Sequence, residues 1–166
     1  FSIGPVQTFI QQARKTKDLY HGSALLSHLA WTAIRPVAEE HGPDAFVFPN
    51  LHAQPLADGW LESEGHSVLR SQSDQQRLPT LPNRFFAIVD TGDPAAIRAL
   101  MRRSQEAVAD EWERIGRGVF ETSALASVDV PPALTDHLSD ALSTYWAAVA
   151  LQPGSEPVTA NGTLRR

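Results

Sequence analysis

The sequence predicts an α+β fold: an antiparallel, ferredoxin-like sheet with helices on one face and an extra helix after the first strand. Three observations predict it. Short runs rich in aromatic and β-branched residues stand at 1–3, 45–48, 84–89 and 145–151. Apolar residues recur at helical spacing between the first and second runs and again between the third and fourth. The resulting order, β-α-α-β, a long loop, then β-α-α-β, closes into a βαββαβ layer when its crossovers are right-handed.

Each element has a local cause. Phe1 to Ile3 reads as the tail of a strand, and Gly4-Pro5 turns the chain into a helix, where Pro is favoured in the first turn. Val6, Phe9, Ile10 and Ala13 follow at i, i+3, i+4 and i+7 and make one apolar face. Residues 18–23 interrupt the pattern, with Gly22 permitting a kink or a new start. A second helix is expected over about 23–40, with a stripe of Leu25, Leu26, Leu29, Ala30, Ala33, Ile34 and Val37. Pro36 bends it or presses its last turn against a neighbour, and Gly42-Pro43 ends it. The run Ala45-Phe46-Val47-Phe48, stopped by Pro49, has the profile of a buried strand.

Residues 51–82 are rich in Ser, Gln, Asp, Gly and Pro and read as a loop of roughly 30 residues, anchored about Gly59-Trp60-Leu61. The third strand follows at 84–89. Asp93-Pro94 is a strong helix start, and the helix after it carries Ile97, Leu100, Met101, Val108, Trp112 and Ile115 and ends near Gly116 or Gly118. A short helix at about 132–141 precedes the last strand. Residues 1–151 are expected as one domain, and 152–166 as an exposed tail or the start of a next element.

Composition bounds the function classes. The chain has 166 residues, 42% of them hydrophobic and 20% charged, which suits one globular domain with a sizeable core. A formal charge of −5 argues against strong global attraction to nucleic acid, while a local basic patch remains compatible with it. The absence of cysteine excludes disulfides and thiolate metal sites and fits a reducing compartment. No stretch approaches the roughly 20 apolar residues that span a bilayer. Without an initiator Met and starting mid-strand, the chain reads as a piece of a larger protein.

Ferredoxin-like sheets of the polymerase and nucleotidyl-cyclase type hold two metal ions on carboxylates, at the end of the first strand and on the hairpin between the middle strands. Here the first strand ends Phe1-Ser2-Ile3-Gly4, without an acid, and the middle strands are joined by the long polar loop. Asp58, Glu62, Glu64 and Asp74 lie in that loop without metal-ligand spacing. The histidines at 21, 28, 41, 52, 66 and 137 form no metal-binding HxxxH or HD pair and read as surface or satisfied core residues. There is no nucleophile elbow, P-loop or dinucleotide fingerprint. No catalytic residue and no metal ligand is therefore assigned. Arg14, Lys15 and Lys17 form a basic group that either contacts phosphate, RNA or a neighbouring subunit or is a solvated helix face. Gly22-Ser23 at the expected helix start offers free N–H groups to an anion, or Ser23 is a simple cap. Asn50, at the same sheet edge, is a ligand contact or a turn residue after Pro49.

The string Ile3-Gly4-Pro5-Val6-Gln7, Phe9-Ile10, Ala13-Arg14-Lys15, Asp18-Leu19, Gly22-Ser23, Leu25-Leu26-Ser27 closely resembles the large subunit of type III CRISPR effector complexes, most of all the Cmr branch (type III-B). Phe48-Pro49, Leu81-Pro82-Asn83-Arg84-Phe85 and Tyr145-Trp146 agree, so the resemblance spans about residues 1–150. It implies the first of two cyclase-like palm domains of an antiviral, cytoplasmic RNA-targeting complex whose large subunit makes cyclic oligoadenylates. The resemblance also implies that the catalytic GGDD hairpin and the Mg²⁺ or Mn²⁺ ions belong to the second palm, and that an HD nuclease domain precedes this segment. This palm is then a non-catalytic partner that shares an ATP pocket with the second palm. It would meet the other effector subunits directly, and guide and target RNA only indirectly. By position, Gly22 and Ser23 match a helix start where Ser contacts nucleotide, and Asn50 falls near a second contact. Tyr20-His21 departs from the Trp-Ala of many relatives. Two rival readings stand beside this one: a free-standing cyclase or polymerase-like enzyme, and a plain protein-interaction module.

Overall fold

In the computed structural model, residues 1–11, 13–68, 78–122, 132–151 and 158–163 are described. Asp74 and much of the expected tail lie outside them. The elements run β1 (Ser2–Gly4), α1 (Val6–Gln11), α2 (Thr16–His41), a 3-10 turn (Pro43–Ala45), β2 (Phe46–Phe48), α3 (Pro55–Ser63), β3 (Phe86–Ala87), α4 (Pro94–Thr122), α5 (Pro132–Ala141), β4 (Ser143–Ala148) and β5 (Val158–Thr163).

β1, β4 and β5 form one antiparallel sheet, in the order β1-β4-β5, and β2 pairs antiparallel with β3. The two sheets are tied through residues 1–3 and 83–85. Ser2 bridges Arg84. The Ile3 N–H donates to the Asn83 carbonyl at 2.8 Å and the Phe85 N–H to the Phe1 carbonyl at 3.0 Å. The strands thus lie in the order β2-β3-β1-β4-β5. Its first four members have the antiparallel order of a ferredoxin-like layer, and the α+β class read from the sequence stands.

One face of this layer is dry. Along β4, Thr144 and Trp146 are buried while Tyr145 and Ala147 are exposed, the period-2 alternation of a strand covered on one side. Leu26, Leu29, Ala30, Ala33, Ile34 and Val37 of α2 supply the helical side of the core, joined by Leu100 and Val108 of α4. Ile3, Phe46, Phe85 and Leu142 meet them from the strands and strand ends. Phe85 stacks on Phe1 at 5.2 Å and meets Phe46 edge-on at 5.4 Å. α2 and α4 run antiparallel, since His28 pairs with Glu111 at one end and Glu40 with Arg103 at the other. Gln105 of α4 donates to the Thr144 hydroxyl at 2.8 Å and so ties the helix layer to β4.

Four expectations need correction. The loop at 51–82 contains a helix, α3, opened by Pro55 at its first position and fixed by Trp60 packing on Trp31 at 5.9 Å. α4 continues through Gly116 and Gly118 to Thr122. There, Gly116 is a close-approach residue: a Cβ would stand 2.6 Å from Leu138 of α5. The last strand begins two residues earlier than expected, and within the expected tail residues 158–163 pair with β4 across six positions. The fourth correction, to the start of α2, falls in the candidate site.

Candidate functional site

The motif-bearing segments converge at the end of β1. The Asn83 side-chain amide donates to the Ile3 carbonyl at 2.7 Å, and the Ser27 hydroxyl accepts the Leu81 N–H at 2.9 Å inside the core. Ile3-Gly4-Pro5, Leu25-Leu26-Ser27 and Leu81-Pro82-Asn83, far apart in sequence, therefore make one junction of β1, α2 and the segment entering β3. Much of the motif text is architecture. It satisfies backbone groups that burial would otherwise leave unpaired, at a cost of about 1–3 kcal/mol each.

α2 does not begin at Ser23. It begins at Thr16, with Lys15 at the cap position. The Asp18 carboxylate accepts the N–H groups of Lys15 at 3.1 Å and Arg14 at 3.3 Å, which satisfies donors that a helix start leaves open. Gly22 and Ser23 consequently lie inside the helix, where their N–H groups belong to the backbone ladder. The Ser23 hydroxyl donates to the Leu19 carbonyl at 2.9 Å, so Ser23 is neither the cap nor part of an N-terminal anion cradle. Any contact it makes with a ligand goes through its hydroxyl oxygen. The physical reason for the error is that Gly22 reads as a breaker, whereas a helix interior tolerates Gly at a cost near 1 kcal/mol once a carboxylate has capped the preceding turn.

This yields a pair of expected results. Asp18→Ala should lower stability by about 1 kcal/mol, as loss of a cap does. Ser23→Ala, a better helix former at an interior position, should leave it unchanged or raise it by a few tenths of a kcal/mol. Urea unfolding of the two variants checks both, and a loss near 1 kcal/mol in Ser23→Ala would return the helix start to Ser23.

Arg14, Lys15 and Lys17 are all exposed, grouped about the start of α2, and form no ion pair among the described residues. Asn50 is exposed past β2. Its side-chain oxygen accepts the His52 N–H at 2.8 Å, a turn-forming contact.

Two features escaped the sequence reading. The first is the His28–Glu111–Arg114 cluster between α2 and α4. His28 Nε2 stands 2.6 Å from Glu111 Oε1, and Arg114 donates two hydrogen bonds to the same carboxylate at 2.7 Å. The Arg114 bonds, helped by His28 and opposed by burial, bring the Glu111 pKa down from 4.5 to about 2. Only the Glu111–Arg114 spacing was visible in the sequence. The second is Asp58, in the first turn of α3, which is 7% exposed. Burial pushes its carboxyl above the usual range, against a lowering by the charge of His52. Among the described residues no three His, Asp or Glu side chains gather to hold a metal ion.

The family described as CRISPR-associated protein Cmr2, N-terminal, matches residues 1–117. The chain belongs to this family. It is 34% identical over 87 residues to the CRISPR system Cmr subunit Cmr2 of Pyrococcus furiosus, across 52% of this chain and 9% of that protein. To the CRISPR system CMR subunit Cmr2 of Saccharolobus solfataricus it is 46% identical over 46 residues, across 28% of this chain and 4% of that protein. The chain thus corresponds to a small part of the length of the curated Cmr2 relatives it matches.

Proposed function

We propose that this domain is a non-catalytic palm of the Cmr large subunit, one that packs against a second palm and contributes one wall of an ATP site used for cyclic oligoadenylate synthesis. The observation that carries the reading is the outer face of the sheet. Directly paired residues share a face, so the register puts Ser2, Tyr145 and Arg84 on one side, with Phe86, two residues on, and its partner Phe48 beside them. Phe48, Phe86, Ile88 and Tyr145 are each about half exposed there, an uncovered apolar surface of the kind that takes another protein layer. The end of β1 carries no carboxylate, so metal ions for phosphoryl transfer would be held by the other palm.

In this reading Ser23 offers its hydroxyl oxygen and Asn50 its amide to the bound nucleotide, and Arg14, Lys15 and Lys17 meet phosphate, RNA or a neighbouring subunit. The test is oligoadenylate synthesis by the reconstituted complex carrying Ser23→Ala or Asn50→Ala. Each is expected to lower synthesis about tenfold, the scale of one lost hydrogen bond to a charged ligand. Synthesis at the unaltered rate in both would contradict the nucleotide-wall reading.

A further inference from the structure

The start of α2 is exposed, and its composition is one-sided. Arg14, Lys15, Lys17, Leu19 and Tyr20 all face solvent, and Asp18 is the only acid in the sequence before Glu39. The Asp18 carboxylate turns back onto the Arg14 and Lys15 N–H groups, so its hydrogen bonds go to the backbone and not to the three cationic side chains. The patch is therefore cationic in a chain whose formal charge is −5. Beside the cations, Tyr20 is 44% exposed while its ring meets His21 edge-on at 5.8 Å. His21 is itself held, its Nδ1–H donating to the Lys17 carbonyl at 2.8 Å.

Ser23 and Tyr20 stand three residues apart on α2, as do Tyr20 and Lys17, so the three side chains are successive neighbours on the helix surface. The row covers about 9 Å of helix. It is open in one direction only, because Leu26 and Ser27, in the next turn past Ser23, are buried. A nucleotide chain with one unit at Ser23 can continue along this helix only toward its start. There it meets an aromatic ring and then three cations. That is the combination by which proteins hold single strands, with bases stacked on aromatic rings and phosphates met by Lys and Arg.

We propose that a single-stranded oligoribonucleotide lies along the start of α2, one base stacked on Tyr20 and its phosphates met by Arg14, Lys15 and Lys17. This rests on the nucleotide-wall reading and adds that the wall takes a growing oligoadenylate, not a mononucleotide alone. Charge by itself would suit an acidic protein surface equally well. The exposed ring beside Ser23 favours the strand.

Calorimetry on the full-length subunit compares ATP with linear triadenylate carrying a 5′-triphosphate. The wild type should bind the triadenylate about tenfold more tightly, the scale of one stacked base. Tyr20→Ala should remove that advantage and leave ATP affinity unchanged, while Tyr20→Phe should keep it. Arg14→Gln, Lys15→Gln and Lys17→Gln together should flatten the salt dependence of triadenylate binding. These positions are all exposed, so the variants should fold as the wild type does. A wild type that binds the triadenylate no more tightly than ATP would overturn the strand path and leave the nucleotide wall standing. So would an advantage that survives Tyr20→Ala, or a salt dependence unchanged in the triple variant, the result expected if the cations serve a neighbouring subunit. A wild type that binds neither ligand would overturn both readings.

Discussion

Ile34→Ala is expected to lower the unfolding free energy by about 3 kcal/mol, within the range of roughly 2–5 for deep aliphatic truncations. Ile34 is fully buried and lies midway along the apolar stripe of α2, between Ala30 and Ala38, which are themselves buried. Its neighbours sit on three different layers: the strands, α3 and α4 all contribute residues to the same core. Collapse into the space left behind would require those layers to shift together, and close-packed interiors resist that. Urea unfolding measures the effect. A loss under about 1 kcal/mol would mean that α2 is not the centre of the core.

The second large effect is electrostatic and depends on pH. Glu111, with its side chain 17% exposed, has its pKa depressed from 4.5 to about 2, chiefly by Arg114, while burial acts the other way and His28 adds to the lowering. A depressed folded-state pKa contributes stability that is fully present above the unfolded value of 4.5 and is lost as pH falls toward 2. The shift is worth roughly 3 kcal/mol at most, and less because Arg114 is largely exposed and screened. Glu111→Gln should therefore be less stable than the wild type at pH 7, by about 1–3 kcal/mol. The gap should narrow between pH 4.5 and 2. A gap that does not change with pH would show that the carboxylate's charge is not what stabilises the His28–Glu111–Arg114 cluster.

Legibility of the fold followed the range of the forces involved. The runs at 45–48 and 84–89 announced β2 and a shorter β3, Phe86–Ala87, because aromatic and β-branched residues favour strands, although Val47, Phe48, Phe86 and Ile88 are exposed where a buried strand was expected for 45–48. Helices α2 and α4 were visible in their stripes. α3 was not, because nine residues containing Gly59 make a weak periodic signal and the helix is held by Trp60 packing on Trp31, a contact between distant residues. β5, Val-Thr-Ala-Asn-Gly-Thr, lacks a clear apolar alternation and owes its form to pairing with β4.

The candidate site divided along the same line. The family was legible in a contiguous string, and the geometry of that string was not. Ser23 looked like a helix start because Gly22 precedes it. The cap comes from Asp18, whose carboxylate reaches back to two backbone N–H groups, a pattern hidden by the Lys at the cap position where Ser, Thr or Asp is customary. Asn50 was correctly placed beside a turn. That its turn leads into Gln54, whose Oε1 is buried without a hydrogen-bond partner, depends on burial, which residue types at this spacing do not report.

The central claim is that a domain without catalytic carboxylates supplies part of a nucleotide site. It is tested most directly by the ATP dissociation constant of the full-length subunit with Ser23→Ala. The substitution should not disturb α2, so a change in affinity reports ligand contact alone. The account predicts binding about tenfold weaker than wild type with unfolding unchanged. Wild-type affinity in a folded Ser23→Ala variant would contradict it.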